Sequence, residues 1–201
     1  DGNEQYESMR SFIALMDELN SDHSLAKFMS SVLAIEQPIV RSKALERSAL
    51  DGIDTLVRTT PVIIDESDSD FSSCIDALEL GYSGTSSKAC KGVTKALVNR
   101  QLIADRNRTG ERPYLMTGED LCCVGIVSLQ ADLALVSAMG LEHVERNGHH
   151  YHPGLAYLPE SSYDAVLSEH SDLYQAVGGI PSVKVEAGQL QLESVNASGF
   201  G

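Results

Sequence analysis

Asp1, Glu36, Asp65 and Lys91 are the side chains of this 201-residue sequence whose types and spacing could do chemistry together. Glu36 closes the apolar run Val32-Leu33-Ala34-Ile35, and Asp65 closes Val62-Ile63-Ile64. Lys91 stands before Gly92, beyond the segment Tyr82 to Ser87. The acids are separated by about one strand-plus-helix unit each, with a small insertion in the first interval. If the strands are parallel, their ends present three carboxylates to one point. Converging carboxylates repel unless a cation joins them. A hard divalent ion, Mg²⁺ most simply, takes oxygen ligands and keeps positions open for substrate oxygens. A lysine beside such a cation has its pKa lowered by charge repulsion and desolvation, so Lys91 could act as a base near neutral pH.

The elements that must position these groups alternate along the chain. Met9, Phe12, Ile13, Met16 and Leu19 mark one apolar helix face. Val32 to Ile35 reads as a strand that leaves its sheet at Pro38. Ser42 can cap a helix with Leu45, Ala49 and Leu50 inward. Val62 to Asp65 is apolar on both faces, as buried parallel strands are. Phe71, Cys74, Ile75 and Leu78 mark a helix stopped by Gly81, and Tyr82 to Ser87 is a strand of weak propensity. Val93, Ala96, Leu97 and Leu102 predict another helix face. Tyr114 to Thr117 predicts a strand, Leu121 to Met139 a helix closed by Gly140, and Leu141 to Val144 a last short strand. From Asn147 on, loops and prolines lead to the Leu190-Gln191-Leu192-Glu193-Ser194-Val195 alternation, which reads as an edge strand.

Alternation of this kind implies a parallel sheet with helices outside, either an open doubly wound sheet or a (β/α) barrel. No G-x-G-x-x-G or Walker loop follows any strand, which lowers the nucleotide-binding options. In a barrel the reactive groups belong at the C-terminal strand ends, where Asp1, Glu36, Asp65 and Lys91 all fall.

The totals agree with a protein of this class. The apolar share of 42% and the charged share of 22% are ordinary for a globular chain. A net charge of -14 disfavours nucleic acid and anionic membranes as partners. No apolar run is long enough to span a bilayer and no signal-peptide pattern opens the chain. Cys74, Cys90, Cys122 and Cys123 lack a paired metal-ligand spacing and read as reduced thiols of a cytoplasmic protein. His149, His150 and His152 suit no closed zinc site and read as part of a loop. Glu66, next to Asp65, is expected to pack or cap. Glu119 and Asp120 precede a helix and either contact substrate from a strand end or stand where negative charge favours a helix N-terminus. Asn3 either faces the site or supports its loop. The absent initiator methionine reads as a fragment lacking its natural start.

Several short motifs, in order, resemble the enolase superfamily, in the branch of muconate-lactonising and dipeptide-epimerase enzymes. They are Asp1-Gly2-Asn3, Ile35-Glu36-Gln37-Pro38, Ile64-Asp65-Glu66-Ser67 and Lys88-Ala89-Cys90-Lys91-Gly92, then Glu142 to Gly148 and His150 to Leu155. The resemblance implies a modified (β/α) TIM-type barrel, truncated at its N-terminal side, with a C-terminal segment returning to an α+β capping domain. It divides the chain into a barrel part, 1–146, and a closing segment, 147–201. It implies Mg²⁺ on Asp1, Glu36 and Asp65, Lys91 as the acid/base, and Lys88 assisting by charge. The implied reaction is Mg²⁺-dependent removal of the proton α to a substrate carboxylate, giving racemisation, epimerisation, dehydration or cycloisomerisation. The implied partners are a small-molecule carboxylate and further copies of the chain. The sequence departs from that pattern in having no second lysine pair upstream of Asp1 and Val93 in place of a second glycine. A catalytically inactive barrel scaffold or interaction module and a ligand-binding open sheet are the competing readings.

Overall fold

The structure is a computed structural model that describes residues 1–110, 112–119, 126–145 and 153–196. The chain forms two compact units, Asp1–Thr117 and Gly118–Gly201. The fold is α/β with parallel strands, compatible with a truncated (β/α) barrel. Among the described residues no helix is long and apolar enough to cross a membrane.

The first unit opens with helix α1 (Met9–Ser21), whose N-terminus is capped by the Ser8 hydroxyl accepting from the Ser11 amide. Met9, Phe12 and Met16, one turn apart, are its buried face. A short helix α2 (Ala26–Met29) precedes strand β1 (Ile35–Glu36). The helix expected over Leu45 to Leu50 is instead turns and a 3-10 turn at Arg47–Ala49, followed by the single-turn α3 (Ile53–Leu56). Asp51-Gly52 interrupts the backbone there, with Gly52 at a φ of 93°.

Strand β2 (Val62–Ile64) pairs in parallel with β1 on one side and with β3 (Gly84–Lys88) on the other. Val62, Ile63 and Ile64 are fully buried, each contributing about 1.5–3 kcal/mol by leaving water. Between these strands lies α4 (Ser73–Leu80), ended by Gly81 at a φ of 113°. All five residues of β3 are buried although none is apolar in the aliphatic sense: Gly-Thr-Ser-Ser-Lys. Gly84 is required, because a Cβ there would stand 1.7 Å from the Leu115 carbonyl oxygen. The core of this unit gathers Met9, Phe12, Ile39, Leu50, Ile53 and Ile64 among others, and the buried Tyr82 donates its hydroxyl to the Ala44 carbonyl at 2.9 Å.

Helix α5 (Val93–Thr109) presents a different face from the one expected. Val93 and Leu97 are exposed, while Lys95, Ala96, Asn99 and Ile103 are buried. The reason is an acceptor on the facing loop, Asp68, whose charge draws Lys95 and Asn99 inward. Strand β4 (Leu115–Glu119) begins in this unit, with the Leu115 amide on the Ser83 carbonyl at 2.9 Å.

In the second unit, Gly118 and Glu119 at the end of β4 pair in parallel with β5 (Val144–Glu145). Helices α6 (Ile126–Met139) and α7 (Tyr163–Glu169) follow in chain order, then a hairpin of β6 (Tyr174–Val177) and β7 (Ile180–Val183). The hairpin was not expected, and the strand expected at Leu190 to Val195 is irregular chain ending in a 3-10 turn. The signal for the hairpin was Gly178-Gly179 between two strand-length segments: both glycines have positive φ, as a tight two-residue turn demands. Leu129, Leu133, Leu155, Val166, Leu173 and Tyr174 form this unit's core.

Candidate functional site

The first unit brings Glu36, Asp65, Glu66, Lys88 and Lys91 to the C-terminal ends of its parallel strands. The register makes this possible. Ile64 lies opposite Thr85, so the chain leaving β2 at Asp65 runs beside Ser86 and reaches the level of Lys88. β1 and β2 are likewise in register at Glu36 and Ile63.

Asp65 is the centre of the group and is only 2% exposed. Its Oδ2 is 2.6 Å from the Lys88 ammonium, and its Oδ1 is 2.5 Å from that of Lys91. Lys91 also donates to the Asp65 carbonyl at 2.6 Å. Burial alone would raise the Asp65 carboxyl, but the positive charges of Lys91 and Lys88 outweigh it and hold it below the ordinary value of 3.8. Glu66 behaves oppositely. Burial raises its carboxyl, and the neighbouring Asp65 charge adds to that. One oxygen of Glu36 and one of Asp65 lie within 4.8 Å of each other. Of the expected metal ligands, then, the structure brings Glu36 and Asp65 together.

Asp1 is placed differently. It is exposed, and its Oδ1 accepts the Asn3 amide at 2.7 Å in a local turn. The segment it opens does lie along β1: the Gly2 amide donates to the Glu36 carbonyl at 2.7 Å. Gly2 is needed for that approach, since a Cβ there would meet the Pro38 Cα at 2.6 Å. Next to it, Glu4 clasps Arg41 through both carboxylate oxygens, at 2.8 and 2.6 Å. The Asn3 backbone lies in the left-handed region, with a φ of 44°.

A residue that sequence reading passed over is Gln37. Its buried side chain joins the strand ends, accepting from the Asp65 amide at 2.7 Å and donating to the Ser67 hydroxyl at 2.8 Å. A signal was present: an amide side chain between an acid and a proline at the end of an apolar run.

A second buried cluster lies just beyond. Lys95 pairs with Asp68 Oδ1 at 3.3 Å and donates to the Asp68 carbonyl, and Asn99 donates to Asp68 Oδ2 at 3.0 Å. In the second unit, Glu119 ends β4, Glu142 precedes β5, and the His143 carbonyl accepts from the Gly118 amide at 2.9 Å. His149, His150, His152, Asp120, Cys122 and Cys123 lie outside the described residues.

No protein-family model matches the chain. No curated protein matches it either. Among solved structures it is similar to the crystal structure of a provisionally assigned phosphonomutase from Burkholderia cenocepacia J2315. That similarity has 14% identity and a TM-score of 0.40, over 75% of this chain and 70% of the other.

The expected membership of the enolase superfamily is therefore corrected. A solved structure similar to this chain carries the name of another enzyme, and no family model matches the chain. The expected Mg²⁺-dependent removal of an α-proton by Lys91 is corrected with it, for a physical reason. That chemistry needs a carboxylate trio on one ion and a lysine free to accept a proton. Here the Asp1 carboxylate caps its own turn, and both Lys88 and Lys91 are ion-paired to Asp65.

Proposed function

We propose that the strand-end cluster is the active site of a cytoplasmic enzyme of isomerase or lyase type, acting on a small anionic substrate such as a carboxylate. The observation that carries this reading is a buried carboxylate held between two lysine ammonium groups, beside a second carboxylate, at the C-terminal ends of parallel strands. Interacting titratable groups gathered at one buried point mark a candidate site, and in parallel α/β folds this end of the sheet is where ligands bind.

Glu36 and Asp65 fit a divalent cation, Mg²⁺ most simply. Both are oxygen donors, they stand within reach of a common point, and each Asp65 oxygen keeps a lone pair beyond the one its lysine uses. Bound there, Mg²⁺ would offset the repulsion between the two carboxylates and make the site net positive, which suits an anionic substrate. Lys88 and Lys91 attract and orient the substrate anion, because each carries its charge on a flexible stem. Lys91 is the more accessible of the two, with its side chain 17% exposed against 8% for Lys88.

The test is Mg²⁺ titration by calorimetry on the intact protein, followed by NMR monitoring of a panel of small carboxylates for conversion. Glu36→Gln and Asp65→Asn are each expected to weaken Mg²⁺ at least about tenfold, the loss of a charged ligand. Equal binding by both variants and the parent, or no binding by any, would sink the proposal.

A further inference from the structure

We infer that Gln37 is a positioning residue for this site, fixing the turn that carries Asp65. The inference rests on the reading of Asp65 as the centre of the site. Gln37 is 1% exposed, and its side-chain amide spends its hydrogen-bonding capacity on one loop and one strand end. Oε1 accepts from the Asp65 amide at 2.7 Å and from the Ser67 amide at 3.2 Å. Nε2 donates to the Ser67 hydroxyl at 2.8 Å and to the Ile39 carbonyl at 2.7 Å. Its main chain adds two more ties: the Gln37 amide to the Ile63 carbonyl at 2.9 Å, and the Glu4 amide to the Gln37 carbonyl at 2.8 Å.

Only a carboxamide meets this set of partners. Two amide N–H groups need an acceptor, while a carbonyl and a hydroxyl oxygen need donors, all around one buried point. A carboxylate has no donor, and an apolar side chain of the same length would leave every partner unpaired away from water. The backbone of Gln37 is itself held at a φ of 35°, in the left-handed region that non-glycine residues seldom enter. Strain of that kind persists only where the surroundings over-determine it, and it gathers at functional sites. Here it turns the side chain under the loop that leaves β2.

The consequence concerns which partner of the ion pairs is fixed. Lys88 and Lys91 reach Asp65 on long stems that can re-form elsewhere. Asp65 has its own amide held by Gln37, and its carbonyl accepts the Asp68 amide at 2.8 Å. The carboxylate is therefore the stationary member, and the lysines are the adjustable ones.

The experiment compares Gln37→Met, Ser67→Ala and Tyr82→Phe in the full chain. Tyr82→Phe removes a buried hydrogen bond of the same unit that touches none of the site. Three quantities are read: hydrogen exchange of the Asp65 and Ser67 amides, Mg²⁺ affinity, and the thermal midpoint. Gln37→Met should speed exchange of both amides and weaken Mg²⁺ by about tenfold or more, and Ser67→Ala should speed exchange by about threefold. Tyr82→Phe should lower the midpoint and leave the site amides and Mg²⁺ unchanged. The inference is overturned if Gln37→Met lowers the midpoint but moves the site amides and Mg²⁺ no more than Tyr82→Phe does. Should Gln37→Met fail to fold, unchanged amide exchange in Ser67→Ala overturns it and faster exchange supports it. If the parent protein binds no Mg²⁺, the functional reading fails while the exchange rates still decide the role of Gln37.

Discussion

Two buried aspartates, Asp65 and Asp68, stand on the same loop, and each is met by lysine, yet they are built for different ends. Asp68 is sealed. Lys95 and Asn99 come from successive turns of one helix, both nearly inaccessible, and they engage Asp68 at its carbonyl and both carboxylate oxygens. Asp65 is crowded with charge from several elements: Lys88 from a strand end, Lys91 from the following turn, Glu36 from the next strand and Glu66 from its own chain. One helix offering two neutralising groups makes an anchor. Several elements offering groups of both signs make a site whose charges can be redistributed by a ligand. Burial alone did not distinguish them, since both aspartates are 2% exposed.

The comparison can be broken most sharply at the anchor. Lys95→Met leaves Asp68 buried without its cation and is expected to cost about 3–5 kcal/mol in urea-induced unfolding. Adding Asp68→Leu to that variant should restore most of the loss, because the pair repays little beyond its own desolvation. A loss below about 1 kcal/mol for Lys95→Met would mean that Asp68 is not sealed.

Asp65→Asn is expected to cost less, about 1–3 kcal/mol, because the amide still accepts and Lys91 can turn toward water. Its pH signature is more telling. The folded-state pKa of Asp65 lies below the ordinary 3.8, so ionised Asp65 favours folding above that value. The contribution is lost as pH falls through the folded-state value. Acid unfolding of the parent should therefore be steeper below the ordinary value than that of Asp65→Asn, and superimposable curves would remove Asp65 from the balance. Tyr82→Phe sets the scale for a neutral buried bond, with an expected loss of about 0.5–1.5 kcal/mol in the same denaturation assay.

Two cysteines report on the two regions with the smallest disturbance. Cys90 is exposed in the turn between Lys88 and Lys91, whereas Cys74 is buried near Asp68. Burial, and then the Asp68 charge, push the Cys74 thiol up to about 12. Mass spectrometry after brief alkylation of the native protein should find Cys90 modified and Cys74 untouched until denaturant is added. Equal labelling would erase the contrast between an open and a sealed region.

Much of this is legible in the amino-acid sequence. Val62-Ile63-Ile64 reads as a strand buried on both faces, with the acid after it at a sheet end, and the structure agrees. Gly81 stopping α4 and the amphipathic spacing of α1 were equally plain. The α5 face was misread, because apolar periodicity says nothing of a lysine and an asparagine drawn inward by an acid on another segment. The hairpin at Gly178-Gly179 was missed because Tyr174 to Val177 is short and partly exposed, so its alternation is faint. The enolase resemblance failed for a related reason. Short acid-bearing motifs at strand ends recur wherever parallel strands point toward a common site, so their order alone does not name a family.

By itself, the sequence determined that Glu36 and Asp65 lie at strand ends, since apolar runs bury themselves and charged residues collect where those runs stop. Only the tertiary structure decided how those groups meet. Strand order and register set Lys88 and Lys91 upon Asp65, bring Glu36 within 4.8 Å of it, and leave Asp1 in a local turn. Side-chain hydrogen bonding across strands then gave Gln37 its place beneath the loop. The reason is that backbone burial follows from local patterns, whereas the partner of a charge depends on residues distant in sequence that the sheet makes neighbours.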